Sequence, residues 1–372
     1  MSKMKLNPKK RNLIIIIAVL TVVILYFAIY YFMPMHISDK PVVLPADTIS
    51  DHEIAVVHNE LVTVNTKGVM CYDKTGEYQW DCALQTAAPF MGVADDYVVV
   101  ADTENAEINI LKDGTLYETI AETEQIAGID VNENGYTAVV TGEPGYRSVV
   151  KVYNNFGNCI YKWYSGSVYV TALALSDNNK YMVAAGLDPN AEDVASSLYF
   201  FDLRQEKPMG EAVLKGSVAY KIIYDKKDAY ILSDKGIYCY TKNGKLSHMY
   251  DFMGRNLHAF SFDDKKEIAV ALNRADASGS MLSGSEILVF KDNLKVKGCA
   301  DVDFEVTALD MHDGFVAAAG LRNVCVMRTS GIVKSRGELQ SDCSSIKLFN
   351  GGKSFATLSD STIHIYEVRF GF

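Results

Sequence analysis

The stretch GVMCYDKTGEYQW at residues 68–80 returns as GIYCYTKNGKLSHMY at residues 236–250. Each is an alternating apolar run, a Gly-containing turn and a second run, the pattern of two antiparallel strands joined by a tight hairpin. The copies start 168 residues apart, which divides into four units of about 42. VTALALSDNNKYMVAAGL from Val170 returns as VTALDMHDGFVAAAGL from Val306, 136 residues later, or three units of about 45. ILSD at residues 231–234 returns as TLSD at residues 357–360, again three units of about 42. A four-strand unit of that size cannot bury both of its own faces, so it must stack against neighbours.

Laid out at this period, the units begin near Glu53, Pro89, Gln125, Tyr169, Val218, Leu257, Val306 and Ser344. Most hold four strands, A to D. Polar turns such as Asp95-Asp96, Asn134-Gly135 and Asp313-Gly314 join A to B, and Asp113-Gly114, Asn243-Gly244 and Ser330-Gly331 join C to D. These residue types tolerate the positive φ of short hairpins. No helical period follows the first 35 residues. The expectation is an all-β, eight-bladed β-propeller, a radial arrangement that leaves only short, protected sheet edges. Seven blades is the alternative if the first unit is irregular. The eighth unit ends at Phe372 with little left for a fourth strand. Residues 41–45 are expected to supply it and clasp the ring.

The fourth unit, with VTALALSDNNKYMVAAG followed by SLYFFDLR, resembles WD40-like repeats. KGVMCYDKTGEYQW in the first is similar to the repeats of quinoprotein dehydrogenases and of the outer-membrane assembly lipoprotein that shares their fold. The resemblance covers roughly residues 53–372, implies blade architecture and is silent on chemistry. With its N-terminal segment the whole chain is similar to membrane-anchored propellers of unknown function from Firmicutes.

That segment is LIIIIAVLTVVILYFAIYYFM, residues 13–33, without a charge. At about 1.5 Å per residue a helix of this length crosses a bilayer core. Lys3, Lys5, Lys9, Lys10 and Arg11 precede it and only Lys40 follows closely, which predicts a cytoplasmic N-terminus. A cleaved signal peptide is the rival, but the apolar run is long for one and no A-x-A site follows. The expected organisation is therefore a cytoplasmic tail (1–12), a transmembrane signal anchor (13–33), a tether (34–52) and an extracytoplasmic propeller (53–372).

Beyond the five basic residues of the tail, 31 Lys and Arg stand against 46 Asp and Glu, a balance that argues against nucleic acid and against charge-driven binding of anionic lipid. The seven cysteines form no C-x-x-C, which leaves no zinc ribbon or thioredoxin-like centre. Cys71, Cys239 and Cys325 take equivalent places in C strands and read as core thiols. Cys71 and Cys82, on two arms of one hairpin, are the best local candidates for a bridge. No H-x-H or H-E-x-x-H pair occurs, so no metal is expected. Asp130, Asn132, Asn134 and Gly135 match half of a calcium loop, but Thr141 stands where its bidentate acid belongs. They read as an A to B turn. Asp234 and Asp360, with Asp102 close to the same point, recur in B to C connections and read as turn-bracing acids. The scarcity of Trp, two in all, argues against the quinone cofactor of the resembling dehydrogenases. No cofactor is expected. The run ASGSMLSGS from Ala277 lacks phosphate-loop spacing and reads as a flexible insertion.

Topography is what remains. B to C connections open on one face of a propeller, and here they are long in the fourth unit (186–197) and the sixth (273–285), with Pro144-Gly145 projecting from the third. Insertions confined to one face mark a binding face, with Tyr146, Arg147, Asp188, Glu192, Asp193, Arg274 and Asp276 as its candidate residues. The leading expectation is a non-catalytic, membrane-anchored binding or scaffold module recognising an envelope protein or a cell-wall polymer. The alternative is a glycan hydrolase or lyase using acids such as Asp188, Glu192 and Asp193, which requires two carboxyl groups, or a carboxyl and a His or Tyr, to converge in the central pocket. A sensor feeding a cytoplasmic domain is disfavoured by the dozen residues left inside.

Overall fold

The computed structural model describes residues 8–44, 53–224, 227–263, 267–276, 279–359 and 362–370. Among them eight antiparallel sheets follow one another in chain order. Their A strands begin at Glu53, Pro89, Ile126, Tyr169, Ala219, Leu257, Ala308 and Ser345, within two residues of the sequence units. The eight-bladed propeller is therefore what forms, and the seven-bladed alternative is not.

The strands are apolar on both faces, and that forces the ring. In the B strand of blade 6 (Ile268–Ala275), Ile268, Val270 and Leu272 pack towards blade 5, while Ala269 and Ala271 pack towards blade 7. Phe315, Ala317 and Ala319 in blade 7 face blade 8, and Val316 and Ala318 face blade 6. Period-two alternation thus divides one apolar run between two interfaces. Eight such clusters fill the eight interfaces, including that between blades 8 and 1, where Phe349, Ala356 and Ile365 meet Ile54 and Leu61. Outer D strands, such as Leu246–Asp251, are largely exposed.

The ring is closed by the N-terminal end. Strand β1 (Met35–Ile37) pairs with the far end of the C strand of blade 8 (Ile363–Phe370), Met35 opposite Phe370. Strand β2 (Val42–Leu44) pairs with its near end, Leu44 opposite Ile363. The clasp expected from residues 41–45 is real in β2. β1 adds a second clasp inside the segment read as a tether, and buries Met35 and Ile37 against blades 7 and 8. Pro45 lies outside the described residues.

Short hairpins carry the expected turn chemistry. His58-Asn59, Asp113-Gly114 and Asp313-Gly314 all have φ between +46° and +81° at both turn positions, the type I′ geometry that matches strand twist. The run from Ala277 differs from its reading. Ala277 and Ser278 lie outside the described residues, but Met281–Phe290 is a strand that pairs Met281 with Ala275, so the insertion lengthens the blade 6 hairpin. All seven cysteines are free, Cys71 and Cys82 included, and Cys71, Cys239 and Cys325 are buried.

Helix α1 (Pro8–Phe32) contains most of the apolar run. Its described side chains at residues 15–26 are all exposed, but twelve residues rise only about 18 Å. Among the described residues no helix is long and apolar enough to cross a membrane. Residues 1–7 of the basic tail lie outside them.

Removing the clasp should cost stability without changing the blades. A chain beginning at residue 46 is expected to lose about 5 kcal/mol against one beginning at residue 34, from unburying Met35, Ile37 and Leu44. Equal urea midpoints for the two would contradict the double clasp.

Candidate functional site

The A strands ring the central channel, and their polar groups are mostly spent on joining blades. Glu53 Oε2 accepts the Met91 N–H at 2.8 Å, Asp130 Oδ2 that of Leu175 at 2.9 Å, and Asp310 Oδ2 that of Leu348 at 2.8 Å. Each bond runs from one A strand to that of the next blade, and Ser261 Oγ does the same for Met311 at 2.9 Å. Burial pushes the Asp130 carboxyl up to about 6 against the pull of Lys221 and the Leu175 N–H. Burial likewise raises Glu53, opposed by the Met91 N–H and Lys347. Lys347 Nζ also stands 3.6 Å from Asp310 Oδ1.

The A to B turns make a second girdle at one end of the channel. Asn132 Nδ2 donates to Ser176 O (2.9 Å) and Asn179 Oδ1 (2.7 Å), which occupies the half calcium loop with inter-blade bonds. His312 bonds Asn350 at 2.6 Å, and the Asn350 N–H reaches Asn59 at 2.8 Å. A cavity of about 330 Å³ lies here, bordered by His58, Asp95, Glu133 and His312. His58, Asp95 and Asp96 each bring one ligand-type atom within 4.8 Å of the others. An imidazole and two carboxylates suit a divalent transition metal. The sequence reading, which expected no metal, missed this group because its residues come from two turns of different blades. Their 3.1 Å and 3.6 Å contacts also link the exposed turns of blades 1 and 2.

The opposite mouth, where the B to C and D to A connections open, is built differently. In blades 3 to 6 the A strand carries one extra residue against its B strand, Ala127, Thr171, Tyr220 and His258, and in blades 7 and 8 the Thr307 and Ser344 N–H groups likewise reach the carbonyls of Ala319 and Leu358, the partners of the residues that follow them. A β-bulge re-aims the extra side chain. Ala127, Thr171 and Tyr220 line a cavity of about 200 Å³ together with Phe90, Ala172 and Lys221. Phe90 is 39% exposed, Tyr169 46% and Tyr220 51%. The mouth therefore presents aromatic rings and a Lys over an apolar floor, on four adjacent blades.

Of the residues singled out in the sequence, two reach this mouth. Arg147, at the blade 3 hairpin, donates to Tyr169 OH at 3.1 Å and lies 5.4 Å from that ring's centre. Tyr146 packs on Tyr164, ring centres 4.8 Å apart. Arg274 instead braces the blade 6 hairpin through Ser283 O (3.2 Å) and Asp301 (3.1 Å), and Asp276 accepts the Ser280 N–H of its own turn at 3.0 Å. Neither lines the cavity. Asp188 accepts the Asn190 N–H at 2.8 Å, while Glu192 and Asp193 are exposed in the same loop. The repeated acids are braces: Asp234 accepts from Ser217 and Val218, and Asp102 from Ala87, Ala88, Glu104 and Asn105. Burial works to raise Asp102, but these bonds outweigh it and hold the carboxyl below its usual range. Asp360 lies outside the described residues.

The family follows from comparison with this architecture in view. The chain belongs to a family of unknown function, DUF5711. The family model matches residues 43–368, from β2 through the C strand of blade 8. No curated protein matches. Among solved structures the chain is similar to the C-terminal WD40 domain of Sif2, with 9% identity and TM-score 0.64 over 89% of this chain and 99% of that one. It is also similar to BamB from Moraxella catarrhalis, with 12% identity and TM-score 0.53 over 88% and 97%. Likeness at this identity concerns the fold. The WD40-like and assembly-lipoprotein-like character expected from the repeats is thus borne out as architecture in this DUF5711 chain.

The raised Asp130 carboxyl gives a pH test of the channel wall. Its folded value near 6 lies above the ordinary 3.8, so the folded state holds its proton more tightly. The stability it contributes is present below about pH 4 and lost as pH rises through 6. Asp130→Asn should gain on the unaltered chain between pH 4 and pH 7 in denaturant titrations. A difference constant with pH would refute this placement of the charge.

Proposed function

We propose that this chain is a membrane-anchored, non-catalytic binding module that grips a protein partner at the bulged mouth of its channel. The observation that carries the reading is the cavity at the mouth into which the bulged A strands of blades 4 and 5 bring Thr171 and Tyr220 beside the exposed Phe90. Exposed Tyr and Phe with a stacked Arg are the residue types that anchor protein interfaces. The third blade's hairpin, with Tyr146 and Arg147, extends this surface outward, and the loop with Asp188, Glu192 and Asp193 adds an acidic border. A wall polymer is the competing ligand. The anchoring part rests on the uncharged run at residues 13–33, on the basic residues before it and on the exposure of apolar side chains at residues 15–26. A helix apolar all round and uncovered by protein calls for a lipid environment. On this reading the propeller sits outside the cytoplasm.

The glycan-hydrolase reading receives no support from the acids proposed for it, since Glu192 and Asp193 are exposed on a loop and Asp188 bonds its own turn. The channel carboxylates Glu53, Asp130 and Asp310 serve as inter-strand acceptors.

A photo-crosslinking residue placed at Tyr220 in the full chain should capture one reproducible protein from native membranes, and one placed at Tyr117 on the outer rim should not. Combining Tyr169→Ala with Tyr220→Ala should weaken that complex at least thirtyfold, the scale of losing an interface hot spot of about 2 kcal/mol. Turnover of a wall fragment by the purified chain, with no protein captured, would reverse the assignment.

A further inference from the structure

Helix α1 meets the propeller through a built contact. Lys334, 2% exposed at the start of the blade 7 D strand (Val333–Glu338), donates its ammonium to Tyr31 O at 3.1 Å and to Met33 O. These are carbonyls of the helix end, which lack intrahelical partners and carry the negative end of the helix dipole. Tyr31 OH shares a 2.8 Å hydrogen bond with Ser330 Oγ in the C to D turn of blade 7. The Arg328 guanidinium lies between two rings, 4.5 Å from the centre of Tyr31 and 4.8 Å from that of Phe315. Burial and Arg328 both push the Lys334 ammonium down, so the carbonyls that hold it offset a desolvated charge.

Strand polarity says which face this is. A to B and C to D turns share one face of the disc, and B to C and D to A connections share the other. Ser330 belongs to the first. Independently, Met35 pairs with Phe370, at the end of the blade 8 C strand that points to that same face. Only Met33 and Pro34 separate Phe32 from Met35, about 10 Å of extended chain, so little slack intervenes.

Resting on the reading of α1 as the anchor, we infer that the helix is clamped to blade 7 on the turn face, so that the aromatic channel mouth is held pointing away from the bilayer. Strands of six residues at about 3.3 Å each put that mouth roughly 20 Å or more beyond the membrane-facing turns. The partner is then a soluble or surface-attached protein, or one with a tall ectodomain. A bilayer-embedded partner with short loops does not reach it.

The test uses the full chain in phosphatidylcholine vesicles that contain acceptor-labelled lipid. A fluorescent residue is placed in turn at Asp113 and Asn293 on the turn face, and at Pro144 and Met253 on the mouth face. Energy transfer to the lipid should be at least twofold stronger from the first pair, and Tyr31→Ala, which leaves the blade cores intact, should narrow that difference. Equal transfer from both pairs, in protein that survives a carbonate wash, overturns the clamp while leaving the anchor standing. Release by carbonate overturns the anchor reading itself, and the inference with it.

Discussion

Everything in this molecule follows from strands that are apolar on both faces. Such a strand has no water-facing side, so each sheet needs a neighbour on either flank, and a row of such sheets has no place to stop except by meeting itself. The eight interfaces from Ile54 round to Ile365 are the consequence. The clasp by β1 and β2 joins the first described strands to the last sheet, so that the ends of the propeller are held by backbone hydrogen bonds as well as apolar packing.

With the B and C strands largely committed to packing, much of the polar chemistry falls to the inner strands and the turns. Around the ring, carboxylates and turn amides bind one blade to the next, Asp130 in blade 3 as much as Asp310 in blade 7 and Glu53 in blade 1. In blades 3 to 5 the bulged inner strands also bring Ala127, Thr171 and Tyr220 to the mouth. A repeated fold thereby acquires an uneven surface, with exposed rings gathered at the mouth of blades 2 to 5.

The helix end adds a direction to that surface. Lys334 and Arg328 gather at the carbonyls and ring of the α1 terminus on the side opposite the mouth. The helix contact and the aromatic mouth therefore lie on different faces, separated by the thickness of the blades.

The period, the starts of the A strands, the Asp-Gly turns and the buried Cys71, Cys239 and Cys325 were all legible in the chain, because each belongs to a local pattern that recurs from blade to blade. The clasp was half legible: β2 falls where the proline-flanked segment suggested, whereas β1 is three residues whose pairing depends on Phe370, far away in sequence. Of the residues singled out from projecting hairpins, Arg147 donates to Tyr169, whereas Arg274 and Asp276 bond within the blade 6 hairpin. Phe90 and Tyr220 went unnoticed as ordinary strand residues. A bulge changes neither composition nor apolar period enough to show, since it is a mismatch between two strands and exists only once they pair. Sequence alone therefore determined the repeat and the need for a ring, through side-chain alternation that each strand carries by itself. Tertiary structure alone decided which side chains reach the mouth and which face the helix holds, because register and inter-blade contact belong to no single segment.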